Sequence, residues 1–179
     1  VGMPCGGKME VYVEPFLPQP ELMLVGQGRI AELVAELGRL LHFRVTVNSP
    51  GATREDFPFA DQLITDDTDY QKINPGLNSY VIVLTQHKGD QQVIQAALRG
   101  TPRYIGLVAS AKRSRLVVEY LKEGGMDADA LRQVLRAPCG LDLGGRTPEE
   151  IALSIITEVV KLRHERTGLS MMEVKQCSI

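Results

Sequence analysis

The chain alternates short apolar runs with longer segments in which apolar residues recur every three or four positions. Short runs are typical of buried strands, and the spaced pattern is typical of amphipathic helices. The pattern predicts strands at residues 22–25, 43–47, 63–65, 80–85 and 104–109, and helices at residues 29–41, 90–99, 110–124, 127–136 and 147–166. Because strands and helices alternate, we predict an α/β fold with a doubly wound, mostly parallel sheet and helices on both faces.

Capping residues mark the ends of two predicted helices. Asp90 is predicted to cap the helix at residues 90–99, and Gly100 to end it. The last helix has a stronger signal, with Thr147 as its N-cap, Pro148 at its first position and a glutamate three residues after the cap.

Residues 9–14 alternate apolar and polar side chains, which predicts a peripheral N-terminal strand. Three prolines between residues 15 and 20 then separate it from the sheet. We therefore divide the chain into a peripheral strand and linker at residues 1–20, a main domain at residues 21–166 and a weakly patterned C-terminal tail at residues 167–179.

Composition excludes several classes of protein. The chain has 179 residues, 44% of them hydrophobic, and a net charge of -2, which does not favour nucleic-acid binding. No apolar run approaches the ~18 residues of a membrane span, and the first residues do not resemble a signal peptide. Three cysteines without a Cys-x-x-Cys pair predict neither a disulfide framework nor a closed zinc site. We expect a cytoplasmic protein.

The most informative motif is the turn at residues 26–31, which reads Gly-Gln-Gly-Arg-Ile-Ala between a predicted strand and a predicted helix. In the Rossmann-like fold, Gly26 would permit the tight turn, and Gly28 and Arg29 would begin a helix whose N-terminus attracts phosphate. The acid that holds the ribose of NAD is replaced here by Asn48 and Ser49, which could still form hydrogen bonds.

Two interpretations of this turn stay open. In the first, the turn binds a phosphorylated ligand, which could be NADP if Arg54 contacts its 2′-phosphate. In the second, the glycines serve only tight packing between the strand and the helix.

Other predicted strands end at the same edge of the sheet, where ligands of doubly wound folds bind. Thr85 and His87 follow the fourth strand, and His87 is either an acid–base group or an ordinary solvated side chain. Ser110, Lys112 and Arg113 follow the fifth strand at a helix start, where cations and free backbone N–H groups attract an anion. The alternative is an exposed basic turn with weak surface pairs.

Two further candidates lie outside these strand ends. Asp142 stands in a glycine-rich loop, where it either binds a ligand hydroxyl or amine or caps its own loop. Cys5 lies between Pro4 and two glycines. A thiol becomes a nucleophile or a soft-metal ligand only where its pKa is depressed.

Several segments, in this order, resemble the XdhC/CoxI family: residues 5–7, 26–28, 85–87, 104–112 and, most specifically, 140–152. The resemblance covers roughly residues 3–165 and corresponds to the C-terminal Rossmann part of longer members, so we expect a short member or a separately encoded half. Arg29, Asn48, Gln86 and Cys139 differ from the residues common in the family.

The resemblance implies an accessory protein rather than an enzyme. Such proteins bind the molybdopterin cofactor, protect it during sulfuration and help to insert it into an apo molybdenum hydroxylase, such as xanthine dehydrogenase or carbon monoxide dehydrogenase. The implied cofactor site comprises Cys5, Gly26, Gly28, Arg29, Asn48, Ser49, Thr85, His87, Ser110, Lys112, Arg113 and Asp142.

In this interpretation Cys5 is a possible molybdenum ligand, and sulfur transfer through Cys5 would make a cysteine desulfurase a partner. A homodimer is also expected. The alternative function is an NAD(P)-binding oxidoreductase that uses the turn at residues 26–28, with His87 or Tyr80 as its proton donor.

Overall fold

The computed structural model describes residues 10–14, 18–86 and 89–175. Its elements are, in chain order, β1 (Glu21–Gly26), α1 (Arg29–Leu40), β2 (Arg44–Asn48), β3 (Gln62–Ile64), β4 (Ser79–Leu84), α2 (Asp90–Arg99), β5 (Tyr104–Leu107), α3 (Ala111–Glu123), α4 (Ala128–Val134), β6 (Leu135–Arg136), α5 (Pro148–Arg163) and α6 (Met171–Val174). The predicted alternation of strands and helices is confirmed.

The strands form one six-stranded sheet in the order β3-β2-β1-β4-β5-β6, and every neighbouring pair is parallel. β1 lies at the centre, where Val25 pairs with Asn48 of β2 on one side and with Val83 of β4 on the other. The chain winds outward from β1 in one direction and then in the other. The strand order therefore reverses between β1 and β4, and a ligand of a doubly wound sheet binds at such a point.

Helices cover both faces of the sheet, each over its own hydrophobic core. α1 and α5 pack on one face, where their buried residues surround Phe43, Tyr80 and Tyr104. α2, α3 and α4 pack on the other face against Val81, Val83 and other strand residues. Two-sided burial explains why the central strands read as continuous apolar runs.

Helix α5 has the N-terminus that its sequence predicts. The Thr147 side chain accepts a hydrogen bond from the Glu150 backbone, the Glu150 carboxylate accepts one from the Thr147 backbone, and Pro148 is the first helical residue. Such a box satisfies helix donors that would otherwise lack partners. This local signal fixes the residue at which α5 begins.

The start of α2 differs from the prediction. Gly89, in a left-handed conformation, is the N-cap, and Asp90 is the first helical residue. The Asp90 carboxylate binds Thr85 and Arg113 instead of capping its own helix. Asp90 therefore links the start of α2 to Thr85, after β4, and to Arg113 of α3.

Two peripheral segments also differ from the prediction. Of the predicted strand at residues 9–14, residues 10–14 are described; they form no strand, and Tyr12 is 98% exposed. The predicted helix at residues 127–136 ends at Val134, and its last two residues pair with β5 as the short edge strand β6. Within the tail, Ser170 and Glu173 form a capping box that starts the short helix α6. The pattern of apolar and polar residues does not determine such short elements, because their conformation depends on contacts with other parts of the chain.

Candidate functional site

The glycine turn lies where the strand order reverses. Gly26 ends β1 with a φ of 127°, and Gly28 precedes α1 with a φ of 101°. A side chain on Gly26 would overlap the carbonyl group of Leu84 at the end of β4. Gly28 is the N-cap of α1 and has no side chain to bind the first N–H groups of the helix. The turn is therefore tight at Gly26, and at Gly28 it leaves the first N–H groups of α1 open to a hydrogen-bond acceptor from a ligand.

Three adjoining hollows surround this turn and share Gln27 and Gln86 in their walls. Hollow A, about 150 Å³, lies between the ends of β1, β2 and β4. Hollow B, about 220 Å³, lies between the turn and the loop after β2. Hollow C, about 590 Å³, lies between the starts of α1 and α5. Together they form a groove along the carboxyl edge of the sheet.

Gln86 lies across the turn and divides the groove. Its backbone is left-handed, with a φ of 50°, and its Nε2 donates a hydrogen bond to the Gln27 carbonyl over 3.4 Å. The same Nε2 lies 3.0 Å from the position that a Cβ on Gly28 would occupy. The Gln86 amide thus fills space that the glycine leaves open, and a ligand at Gly28 would contact it.

The end of β2 is polar and buried. Asn48 and Ser49 are 0% and 1% exposed, and both belong to the wall of hollow A. Asn48 Nδ2 donates to Asp67 Oδ2 over 2.6 Å, while Asn48 Oδ1 has no partner among the described residues. Arg54 Nη1 donates a hydrogen bond to the Ala60 carbonyl.

The wall of hollow B is acidic, because Glu32 and Asp56 belong to it. Hydrogen bonds from the Thr53 backbone and hydroxyl lower the pKa of Asp56, which is therefore a carboxylate near neutral pH. Hollow C instead includes Arg29, whose guanidinium lies 3.3 Å from Glu32 and 3.5 Å from Glu149. The two carboxylates offset the charge of Arg29, so the feature at Gly28 that favours an anion is the set of open N–H groups at the start of α1.

Two predicted site residues, Thr85 and Arg113, bind the same buried carboxylate. Thr85 Oγ1 donates to Asp90 Oδ1, and Arg113 Nε donates to Asp90 Oδ2 over 2.7 Å. Thr85 also belongs to the wall of hollow A. Ser110 is the N-cap of α3 and accepts from the Arg113 backbone, whereas the side chain of Lys112 is exposed.

The loop that carries Asp142 is held by α5. Glu158 Oε2 accepts hydrogen bonds from the Gly140 backbone over 2.8 Å and from the Tyr104 hydroxyl over 2.6 Å. Asp142 itself is exposed and does not belong to the walls of the three hollows. The loop is therefore anchored at its base, and Asp142 lies outside the groove that surrounds the glycine turn.

Beside this anchor, Cys139 packs against the core. Burial, with a further contribution from the Glu158 carboxylate, raises the pKa of the Cys139 thiol to about 12. Burial also raises the pKa of the Tyr104 hydroxyl, with smaller contributions from Cys139 and Glu158. Both groups keep their protons near neutral pH, so Cys139 is a poor nucleophile in the folded protein.

The structure thus brings together part of the predicted site. Gly26, Asn48, Ser49 and Thr85 surround hollow A, and Gly28 and Arg29 belong to hollow C. Ser110, Lys112, Arg113 and Asp142 lie outside the walls of the three hollows, and Cys5 and His87 lie outside the described residues.

Sequence reasoning missed Gln27, Asp67 and Tyr70 as parts of the site. Gln27 and Tyr70 belong to the wall of hollow A, and Asp67 binds Asn48 behind it. Asp67 follows β3 by three residues. Its position beyond the end of a parallel strand is the signal that would have identified it.

Two kinds of feature are absent from the described part of the chain. Residues 10–14, 18–86 and 89–175 contain no group of three histidine, cysteine or carboxylate side chains arranged to hold a metal ion. Over the same ranges, no helix combines the length and apolar character that crossing a bilayer requires.

The strand order and the glycine turn at its reversal define a Rossmann-type α/β domain. Residues 22–159 match the family model described as the XdhC Rossmann domain. The chain belongs to this family, as the resemblance seen in its motifs predicted.

Individual relatives agree with this membership. The chain is 29% identical to a Bacillus subtilis protein described as a probable xanthine dehydrogenase subunit, over 86% of this chain and 46% of that protein. It is 27% identical to the Escherichia coli protein YqeB, called uncharacterized, over 97% of this chain and 33% of that protein. A crystal structure from Bacillus halodurans, described as a xanthine dehydrogenase, superposes with a TM-score of 0.71 at 26% identity, over 88% of this chain and 46% of that one. The chain therefore spans half or less of these relatives.

Proposed function

We propose that this domain binds the molybdopterin cofactor and assists its sulfuration and insertion into a molybdenum hydroxylase of the xanthine dehydrogenase or carbon monoxide dehydrogenase type. The observation that carries the proposal is the groove around Gly26 and Gly28, at the reversal of strand order in an XdhC-family domain. The relatives from the two Bacillus species support the proposal, because the names of both refer to xanthine dehydrogenase.

The residues of the groove fit such a cofactor at two points. The uncapped start of α1 at Gly28 offers backbone N–H groups and the positive end of the helix dipole to a phosphate. The buried polar end of β2, where Asn48 and Ser49 belong to the wall of hollow A, would meet amine, amide or hydroxyl groups of the ligand. Hollow C, at about 590 Å³, has the size of small-molecule sites, which run from ~300 to ~1,000 Å³. When bound, the cofactor supplies the molybdenum centre that the client enzyme requires.

We propose delivery rather than turnover because of the side chains in the groove. Hollows A and C are walled by backbone groups, amides, hydroxyls and apolar side chains, together with Arg29. The buried thiol of Cys139 stays protonated beside α5, outside these walls. Such groups suit binding and orienting a ligand better than proton transfer near neutral pH, and the two carboxylates of the groove, Glu32 and Asp56, lie in hollow B.

Retention of the cofactor tests this proposal. Purified protein is mixed anaerobically with released molybdopterin cofactor and desalted, and the retained molybdenum and pterin fluorescence are measured. We expect near-stoichiometric retention by the wild type and a several-fold weaker retention by Arg29→Ala. Arg39→Ala is the matched control, because Arg39 lies on the same helix but pairs with Asp61 at its other end.

The alternative, an NAD(P)-dependent oxidoreductase, is tested in the same assay with NADPH as the probe. Retention of NADPH by protein that retains no molybdopterin would favour the oxidoreductase and contradict the delivery role. The strand order supports this second candidate function, because dinucleotide-binding domains have the same order.

A further inference from the structure

The side chain of Gln86 stands between the three hollows of the groove. It belongs to the walls of hollow A, hollow B and hollow C. Its Nε2 lies 3.0 Å from the position that a Cβ on Gly28 would occupy. Gly28 is the N-cap of α1, and a side chain at an N-cap lies next to the first N–H groups of its helix. The Gln86 amide therefore takes up space in front of the open start of α1.

The amide does not satisfy the helix beside which it lies. Its NH₂ group is a donor, as are the first N–H groups of α1, so the two cannot bind each other. Nε2 instead donates to the Gln27 carbonyl over 3.4 Å, which is long for such a hydrogen bond. Because the side chain of Gln86 is also exposed, moving its amide away from the turn has a small cost.

The Gln86 backbone is held close to the turn. Gln86 follows the end of β4 at Leu84 by two residues, and the Leu84 carbonyl lies directly against Gly26. The φ of Gln86 is 50°, a left-handed conformation that costs free energy for a residue other than glycine. A rotation within the side chain is therefore the simplest movement that clears the start of α1, and exposed side chains rotate within nanoseconds.

We propose that Gln86 is the gate of the groove: its amide separates hollow A from hollow C in the free protein and rotates aside when a phosphorylated ligand binds at the start of α1. This inference rests on the proposed function and adds the step by which that groove opens. The cost of opening is the same for every such ligand. The gate thus keeps weakly bound small anions out, while a cofactor with contacts in both hollows still binds.

A gated site has a simple signature in binding. Its apparent affinity is the intrinsic affinity multiplied by the fraction of protein in which the gate is open. Removing the gate raises that fraction, so a variant without it should bind a small anion more tightly. If the amide were instead a ligand of the anion, the same variant would bind more weakly. The sign of the change therefore separates the two roles.

Two substitutions remove the gate and suit its backbone. Gln86→Gly deletes the side chain, and Gln86→Asn keeps an amide that is one methylene shorter; glycine and asparagine both tolerate a left-handed backbone. Gln71→Asn is the matched control. Gln71 is exposed, lies outside the walls of the three hollows, and donates from Nε2 to the Asp69 carbonyl over the same 3.4 Å.

Inorganic pyrophosphate is the probe, and its dissociation constant is measured by calorimetry with the full chain at constant ionic strength. We expect both Gln86 variants to bind pyrophosphate about two- to tenfold more tightly than the wild type, the range that one weak hydrogen bond allows. Gln71→Asn should match the wild type. Thermal unfolding without ligand shows that each variant is folded, and either Gln86 variant alone is sufficient for the test.

Unchanged or weaker pyrophosphate binding by the Gln86 variants would overturn the inference, and so would equal tightening in Gln71→Asn or an absence of pyrophosphate binding by all of these proteins. Molybdopterin retention by the wild type, measured in parallel, separates this result from the proposed function. Retention without the expected tightening would leave the proposed function standing and remove the gate. Tightening without retention would leave the gate standing and contradict the proposed function.

Discussion

Arg113 Nε donates a hydrogen bond to Asp90 Oδ2 over 2.7 Å, and this contact joins the start of α3 to the start of α2. The Asp90 side chain is 3% exposed, and that of Arg113 is 24% exposed. Thr85 donates to the other oxygen of the same carboxylate. Arg113, which the sequence suggests as a phosphate ligand, therefore also compensates the buried charge of Asp90.

Replacing Arg113 by Ala should destabilise the fold. Breaking a buried pair leaves an uncompensated carboxylate, so we expect the free energy of unfolding to fall by about 3 kcal/mol. Urea denaturation monitored by circular dichroism measures this change. Arg115→Ala is the control on the same helix, because Arg115 is exposed and its Nε donates to the Ala111 carbonyl of its own helix over 3.4 Å. A loss of under about 0.5 kcal/mol for both variants would show that the pair contributes little.

Lys112 offers a cleaner test of phosphate attraction at the start of α3, because its side chain is exposed. We expect Lys112→Ala to weaken molybdopterin retention a few-fold without changing the thermal midpoint of unfolding. Its matched control is Lys122→Ala, an exposed lysine in the last turn of α3. Equal retention by the two variants would remove Lys112 from the cofactor site. A higher salt concentration should reduce the difference between them, since exposed charges are screened.

Gly26→Ala should cost more stability than the same change at Gly51. Both glycines have positive φ values, 127° and 79°, which an alanine rarely adopts. A Cβ at Gly26 would also overlap the Leu84 carbonyl, whereas a Cβ at Gly51 would have no atom within 4 Å. We expect a loss of about 1 kcal/mol at Gly51 and at least about 3 kcal/mol at Gly26, by denaturant unfolding. Similar losses of stability at both positions would contradict this prediction, because they would mean that the ends of β1 and β4 move apart to admit the new Cβ at little cost.

The Cys139 thiol should resist alkylation in the folded protein. Its pKa is raised to about 12, so very little thiolate exists at pH 8. In a Cys5→Ser/Cys177→Ser background, we expect iodoacetamide to label Cys139 slowly in buffer and rapidly in denaturant, as followed by mass spectrometry. Rapid labelling of the folded protein would contradict the buried, protonated state.

The same thiol gives a pH dependence of stability. Above pH 9, the unfolded thiol loses its proton while the folded thiol keeps it, because the pKa rises from 9.0 to about 12 on folding. The unfolded state then binds fewer protons, so the free energy of unfolding falls between pH 9 and pH 12. Cys139→Ala should show a shallower decline over this range than the protein that retains the thiol.

Local sequence signals predicted the fold and the glycine turn well. The turn at Gly26 and Gly28 and the capping box at Thr147 and Glu150 depend on residues a few positions apart. Apolar runs identified the central strands, because both of their faces are buried. Short elements such as β6 were not predictable, since two residues carry no periodicity.

The polar contacts of the site depend on residues distant in the chain. Asn48 meets Asp67 across 19 positions, Arg113 meets Asp90 across 23, and Gln86 reaches Gln27 across 59. The strand pattern placed Asn48 and Arg113 at the correct edge of the sheet, but their partners follow from how the loops fold over that edge. The expected homodimer, the apo-hydroxylase partner and the division at residues 20 and 166 stay predictions.

Reconstitution of a client enzyme distinguishes delivery of the cofactor from its binding alone. Apo xanthine dehydrogenase is incubated anaerobically with the cofactor-loaded protein or with the same amount of free cofactor, and the rate of xanthine oxidation is then measured. We predict faster and more complete recovery of activity with the loaded protein, and a loss of that advantage when the Arg29→Ala variant carries the cofactor. Equal recovery from free and protein-bound cofactor would contradict the delivery role.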